Sequence, residues 1–369
     1  MCLQDLDEIV DSFLREVRQI DGYLPPTSVV TDDDLGATAL ASLELLIRLV
    51  GGLPIPERLE GISTDVGQRR ARQNVPLESV LRGVRMDFRI LWPAMLRRVP
   101  PEVLPGFTEE AVRIWEAVEY HVIRVHAGYL DESAVMAQER QHERGRLVGR
   151  LLSSNGEDTQ LLSQTARALG VRSDSAFQVA LAPADNARRF RAAAEDANAL
   201  RSLHEREDLL LLIAELPRTQ DLQSPRWLHD VPCIVAPIAR TLAEVPRAYA
   251  IAREILAAFE SGIDETVTLR GAWGRIAARR MGDVGDALAR EVLDNVSANE
   301  GKRLAETLWV YFETGSVTTS AELLYCHRNT VINRLSRFHQ LTGFDPNKPV
   351  DAAMIQMALQ HRQNVQHDR

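Results

Sequence analysis

The sequence has no run apolar enough to cross a membrane. Leu45 to Val50 and Leu209 to Ile213 are its most apolar stretches, and both fall far short of the ~20 residues a spanning helix needs. A secretory leader is missing as well, since MCLQDLDEIVDSF starts acidic and amphipathic where a leader starts basic and turns apolar. A cytoplasmic protein with no membrane partner is expected. Cysteine is scarce: Cys2, Cys233 and Cys326 are odd in number and far apart, which excludes a disulfide framework and the clustered spacing of a zinc site. Excess positive charge is also lacking. Lys and Arg total 43 against 52 Asp and Glu, so the surface as a whole does not suit sequence-independent binding of a polyanion. A local basic face is still allowed.

What is present is a globular composition, 45% hydrophobic and 26% charged over 369 residues, enough for two or three domains. From residue 6 to about 152 the apolar spacing is helical. Val112, Trp115, Val118 and Val122 are taken as one helix face, and Leu77, Val80, Leu81 and Val84 as another. Breakers separate the runs at Pro25-Pro26, Gly51-Gly52, Pro54, Pro56, Pro76, Pro100-Pro101 and Pro105. Thr31 and Thr108, each followed by acidic residues, read as helix caps. An N-terminal helical bundle over 1–153 follows. Its last part, Asp131 to Ser153, predicts a charged helix that is either an ordinary exposed one or one that pairs with its copy.

The pattern changes after Gln160. Ala176 to Leu181, Leu209 to Ala214 and Cys233 to Ala236 have strand length, and Ala187 to His204 and Leu242 to Phe259 are helical. An α+β domain over 160–265 is expected, then connecting helices over 266–303, including one from Asp283 to Glu300.

The last segment, 304–363, predicts helices joined by very short turns. Leu304 to Phe312 lie on a first helix ended by Thr314-Gly315. Thr318 and Thr319 are expected to cap a second, Ser320 to Leu324. A third runs from His327 to about Thr342 and stops at Gly343, and a fourth covers Ala352 to Gln363. Small Ala321 suits a close helix crossing, and Leu324, Cys326, Val331 and Leu335 supply the contacts of a helix-turn-helix. No Asp or Glu occurs between His327 and Thr342, while Arg328, Arg334 and Arg337 do. His327, Arg328, Asn329, Thr330, Asn333, Arg334 and Arg337 are therefore candidate contacts to double-stranded DNA, together with Thr318 and Thr319. Arg328, Asn329 and Asn333 fall nearest the bases and Arg337 nearer a phosphate.

The strings Leu304-Ala305-Glu306-Thr307-Leu308, Ala321-Glu322-Leu323-Leu324, His327-Arg328-Asn329-Thr330-Val331, Arg334-Leu335 and Leu341-Thr342-Gly343-Phe344-Asp345 resemble, in order and spacing, the C-terminal helix-turn-helix of the PucR/CdaR family of bacterial transcriptional regulators. The sequence departs from that family at Tyr325-Cys326, where a Leu- or Ile-like pair is the rule, and at Asn333, where an aromatic is. The resemblance implies operator DNA as partner, a homodimer or higher homo-oligomer, and a small-molecule effector. Segment 160–265, with its Ala248 to Ala252 helix, is similar in length and strand placement to a degenerate GGDEF fold. The Gly-Gly-acidic-Glu-Phe turn of a cyclase does not occur, and Asp208 alone is not a metal site. The middle domain is thus expected to be a scaffold, the chain not an enzyme, and no cofactor is expected. Residues 69–98, through their Arg-rich start, Val75-Pro76-Leu77 and Trp92, resemble the RsbRD-type N-terminal domain, which implies that the helical domain over 1–153 serves signal reception or dimerisation. Arg69, Arg70, Arg72, Arg82, Arg85, Arg89, Arg97 and Arg98 read as a salt-bridged face, and His121 and His126 as ordinary, partly exposed histidines. The fold class expected is mainly α and multidomain. The competing readings are a stress-signalling interaction protein and, disfavoured by the missing motif, a nucleotide-cyclase-type signalling enzyme.

Overall fold

A computed structural model describes residues 2–20, 23, 29–109, 111–199, 202–206, 208–218, 222–259 and 262–367. It divides into two compact units, Met1–Glu143 and Arg144–Arg369. The Pro25-Pro26 breaker lies outside the described residues.

The first unit is built of helices: α1 (Leu6–Val17), α2 (Asp32–Val50), α3 (Glu57–Glu60), α4 (Ile62–Arg72), α5 (Leu77–Leu96), α6 (Leu104–Glu109) and the greater part of α7 (Ala111–Leu152). Thr31 caps α2 as expected, its hydroxyl accepting from the Asp34 amide. Thr108, by contrast, lies inside α6, near its end, and not at a helix start. The core takes Ile9, Phe13 and Val17 from α1, Leu43 and Leu46 from α2, Val80, Val84 and Leu91 from α5, and Ile114, Val118 and Val125 from α7.

The expected face of α7 is corrected. Val112 and Trp115 are exposed while Ile114, Ala117, Val118, Val122 and Val125 are buried. Six residues along a helix turn it by about 240°, so Val112 and Val118 never shared a face. The histidine reading also divides: His126 is exposed, but His121 is 1% exposed. The arginine-rich stretch is salt-bridged, with Arg69 and Arg70 on Asp34, Arg72 on Glu132, Arg82 on Glu78, and Arg98 on Asp5 and Glu8. α4 and α7 cross with their backbones in contact. A methyl added at Gly67 would lie 2.0 Å from the Val125 carbonyl, and one at Gly128 2.3 Å from that of Thr64, so only glycine allows this approach.

In the second unit, α8 (Thr159–Leu169) is capped by Asp158 and ends in left-handed Gly170. A five-stranded sheet follows, formed by β1 (Phe177–Pro183), β2 (Leu203–Arg206), β3 (Leu209–Glu215), β4 (Ile234–Val235) and β5 (Val267–Thr268), in the order β2-β3-β1-β4-β5. Only the β4–β5 pair is parallel. Alternation along β1 sends Phe177, Val179 and Leu181 to one face, against Ala248, Ala252 and Ile255 of α10 (Val245–Ala257). It sends Ala180 and Ala182 to the other, against Phe190 of α9 (Ala184–Asp196) and Leu228. Covered on both faces, the central strands read as unbroken apolar runs. The helix expected over Ala187 to His204 stops at Asp196, and His204 instead lies in β2 opposite Leu211. Left-handed Asn198 turns the chain between them.

After β5 come α11 (Leu269–Met281) and α12 (Asp283–Leu293). The helix expected from Asp283 to Glu300 is thus two, broken before α13 (Ala298–Thr314). The chain ends with α14 (Val317–Leu323), α15 (Arg328–Thr342) and α16 (Pro349–His367). α16 packs back on α11 and α12. There His361 Nε2 lies 2.8 Å from Asp286 Oδ1 and Nδ1 3.1 Å from the Ala278 carbonyl, with Gly285 stacked over its ring.

Candidate nucleic-acid interface

α13, α14 and α15 enclose one small core. Leu304 and Leu308 from α13, Ala321 from α14, and Val331, Leu335 and Phe338 from α15 are all buried. Val292 and Leu293 of α12, and Ile355, Ala358 and Leu359 of α16, complete it. Removing these side chains from water is what stabilises the arrangement, each contributing on the order of 2 kcal/mol. Gly315, at φ 62°, ends α13. The cap of α14 differs from expectation: Ser316 accepts from the Thr319 amide, so Thr318 and Thr319 lie in the first turn of the helix. Thr314 Oγ1 meets Ser320 Oγ at 2.8 Å, which locks that turn to the end of α13.

The turn from α14 into α15 is closed by the Cys326 amide donating to the Ala321 carbonyl at 2.9 Å. Cys326 packs on the core while Tyr325, at φ 50°, is 96% exposed. The residues at this departure from the family pattern thus divide between inside and outside. His327 is the N-cap of α15, its Nδ1 accepting from the Asn329 amide at 3.2 Å. Arg328 and Asn329 follow on the exposed first turn, where free amides and the positive helix end favour an anion.

The nine expected contact residues fall into three groups. Thr318, Thr319, His327, Arg328, Asn329 and Asn333 are exposed, and Thr330 is half-buried beside them. Arg337 is exposed but reaches Glu300 of α13 at 3.4 Å. Arg334 departs from the expectation. It is half-buried and donates from Nη1 to Oγ1 of buried Thr307 at 3.1 Å. It stands three residues after Val331 and four before Phe338, on the side of α15 that meets the core, so it fastens α15 to α13. Sequence reasoning missed Tyr325 and Ile332, which is 39% exposed beside Asn333. Spacing along α15 signals Ile332, one residue past buried Val331.

With this geometry in place, the comparisons with known proteins become specific. Residues 304–361 match the PucR C-terminal helix-turn-helix domain family, and residues 6–144 match the RsbT co-antagonist protein rsbRD N-terminal domain family. The chain joins an RsbRD-type N-terminal domain to a PucR-type helix-turn-helix. Uncharacterized proteins of Mycobacterium bovis and Mycobacterium tuberculosis are 33% identical over 139 residues, which is 35% of this chain and 32% of each relative. The chain thus aligns with about a third of the length of those relatives. The crystal structure of a regulator of polyketide synthase expression from Bifidobacterium adolescentis is similar over 61% of this chain and 93% of that one, with 21% identity and a TM-score of 0.30. Among the described residues, no helix is long and apolar enough to cross a membrane.

Proposed function

We propose that this protein is a transcriptional regulator that reads double-stranded operator DNA with the N-terminal half of α15. Thr318, Thr319, His327, Arg328, Asn329, Thr330 and Asn333 form the contact face, with Arg337 on a phosphate and Arg334 holding the helix in place. The observation that carries the reading is the exposed, acid-free first turn of α15 within a segment that matches the PucR-type domain. Bidentate Arg and Asn contacts read purine edges in the major groove, and hydroxyls and cations fix the register on phosphates. We assign residues 1–153 to reception of a signal, 160–265 to a non-catalytic GGDEF-like scaffold, 266–303 to the connection and 304–363 to DNA. The protein acts in the cytoplasm, under a small-molecule effector.

Two copies act together, because one short recognition helix reads few base pairs and two-fold pairing doubles the contacts. α7 supports this reading with a stripe of exposed Val112, Trp115, Ile123 and Leu130. These positions fall near one line along the helix, as a self-complementary two-fold seam requires. Ile123→Glu in the full chain is expected to convert a dimer to a monomer in sedimentation. The DNA assignment is tested by enriching genomic fragments on the full chain and measuring affinity for an enriched site. Arg328→Ala or Asn329→Ala is expected to weaken that site by about 10-fold or more, and unchanged affinity in both rejects this helix as the reader. A stress-signalling protein that docks partners through its N-terminal domain is the second reading, favoured by the match at residues 6–144. It predicts that no genomic fragment is enriched.

A further inference from the structure

The interior of the N-terminal bundle contains polar groups that packing alone does not explain. Asp87 of α5 is 2% exposed, and His121 Nε2 stands 3.9 Å from its Oδ2, beyond hydrogen-bond distance. His121 is held from behind by Ser63, whose Oγ lies 2.7 Å from Nδ1. When the serine hydroxyl donates to Nδ1, the ring presents an Nε2–H toward Asp87. Arg70 of α4 is 1% exposed and gives Nη1 to Asp34 and Gln73; the Tyr23 phenol lies against the same guanidinium, but Nη2 is buried with no acceptor in hydrogen-bonding geometry. A buried unpaired guanidinium nitrogen costs stability.

All three groups line one cavity of about 30 Å³, whose apolar wall includes Phe13, Val17 and Val84. A water molecule needs about 10–15 Å³ measured this way, so the space suits two to four heavy atoms. The charge balance has a definite sign. Asp34 is ionised, held down to about 2 chiefly by hydrogen bonds from Gln73, Arg69 and Arg70 against the cost of its burial. It faces two guanidiniums, those of Arg69 and Arg70. Burial pushes the Asp87 carboxyl well up, toward its neutral form, and His121 down to about 4, so the ring is neutral at pH 7. Arg69, Arg70 and Asp34 together leave one positive charge beside a cavity with donors at one end and hydrocarbon at the other.

We propose that this cavity binds a small monocarboxylate of one or two carbons, its carboxylate toward Arg70 and His121 and its apolar end among the valines. The carboxylate takes the acceptor place that Arg70 Nη2 lacks and accepts a second hydrogen bond from the His121 Nε2–H. This binding claim is independent of whether the C-terminal domain reads DNA, and no DNA is used to test it.

The full chain is titrated with carbon-13-labelled acetate at constant ionic strength in chloride, and binding is read by NMR. One saturable site per chain, with a dissociation constant on the order of 1 mM or tighter, is expected. Arg70→Gln should weaken it at least tenfold. Because Arg70 also supports the fold, Val84→Ile provides the deciding variant: its added methylene fills the cavity without changing any charge, and should also weaken binding at least tenfold. Undiminished binding by Val84→Ile assigns acetate to an adventitious surface site and overturns the proposal whatever Arg70→Gln does. Absence of saturable binding by the parent chain overturns it equally.

Discussion

The N-terminal bundle takes several ionisable groups inside, whereas the C-terminal helix-turn-helix segment keeps all but His361 of α16 outside. Arg70, Asp87, His121, Glu44 and Glu132 are all under 9% exposed in the first. In the second, the core formed by α12 to α16 is apolar, and its buried polar residues are Thr307, Ser320, Gln360 and His361. Burying a charge or its neutralised form costs stability that an apolar side chain would not. A bundle that tolerates this needs a compensating close fit. The α4–α7 crossing supplies it, by bringing Ser63 against His121 beside the Gly67 and Gly128 contacts. The largest effect is therefore expected there. Gly67→Ala should destabilise the first unit by about 3 kcal/mol or more, since backbone must move to admit the methyl. Gly36→Ala, in α2 with nothing within 4 Å of its added methyl, should stabilise it by up to about 1 kcal/mol. Comparable melting of the two variants in calorimetry would show that the crossing is not tight.

Acid should distinguish the two kinds of interior next. Burial holds His121 at about 4 in the folded chain against an ordinary 6.5. The unfolded chain therefore binds the extra proton first, and the stability due to this group is complete above pH 6.5 and lost as pH falls toward 4. Such a displacement amounts to roughly 3 kcal/mol at full protonation. Asp87 acts in the opposite sense: its raised value favours the folded state at low pH and loses that contribution as pH rises through it. His121→Gln should flatten the acid limb of the N-terminal transition, and Asp87→Asn should remove the loss of stability that sets in as pH rises above the ordinary carboxylate range. His204, lowered to about 4 by burial and by the Arg144 charge, gives the second unit an acid limb of its own that neither variant should move.

DNA binding by the helix-turn-helix, with its charge outside, should respond to salt. Arg337→Ala is expected to reduce the slope of log affinity against log salt by about 1, the loss of one phosphate contact. An unchanged slope together with weakened binding would mean that Arg337 acts through the fold, and would blur the contrast between the two regions.

How much of this was legible in the sequence follows from the same contrast. The short helices of the C-terminal segment announce their ends with Gly315 and Gly343, both left-handed, and their charges stay on the surface, so residue type predicts position. α7 was misread because Val112 and Trp115 are apolar yet exposed, and hydrophobicity alone does not say which apolar residues face a core. β2 and β5 are four and two residues long, too short for an alternating pattern to register. The buried His121, Ser63 and Asp87 come from three helices, and no sequence spacing links them.

Arg334 provides the smallest and most discriminating test, because it lies on the boundary between the two behaviours. By residue type it belongs to the DNA face, but by position it shares the inner side of α15 with Val331 and Phe338 and bonds Thr307. Arg334→Met keeps the aliphatic stem and removes the donor. If the residue fastens the helix, the domain should lose about 1 kcal/mol, the usual worth of such a bond, while DNA affinity measured well below the melting temperature and its salt slope stay at parent values. Thr307→Val should reproduce the same stability loss, and the double variant should lose little more than either single one, since both delete one interaction. A weakened salt slope in Arg334→Met but not in Thr307→Val would return Arg334 to the DNA face. The guanidinium would then leave Thr307 for a phosphate when DNA binds.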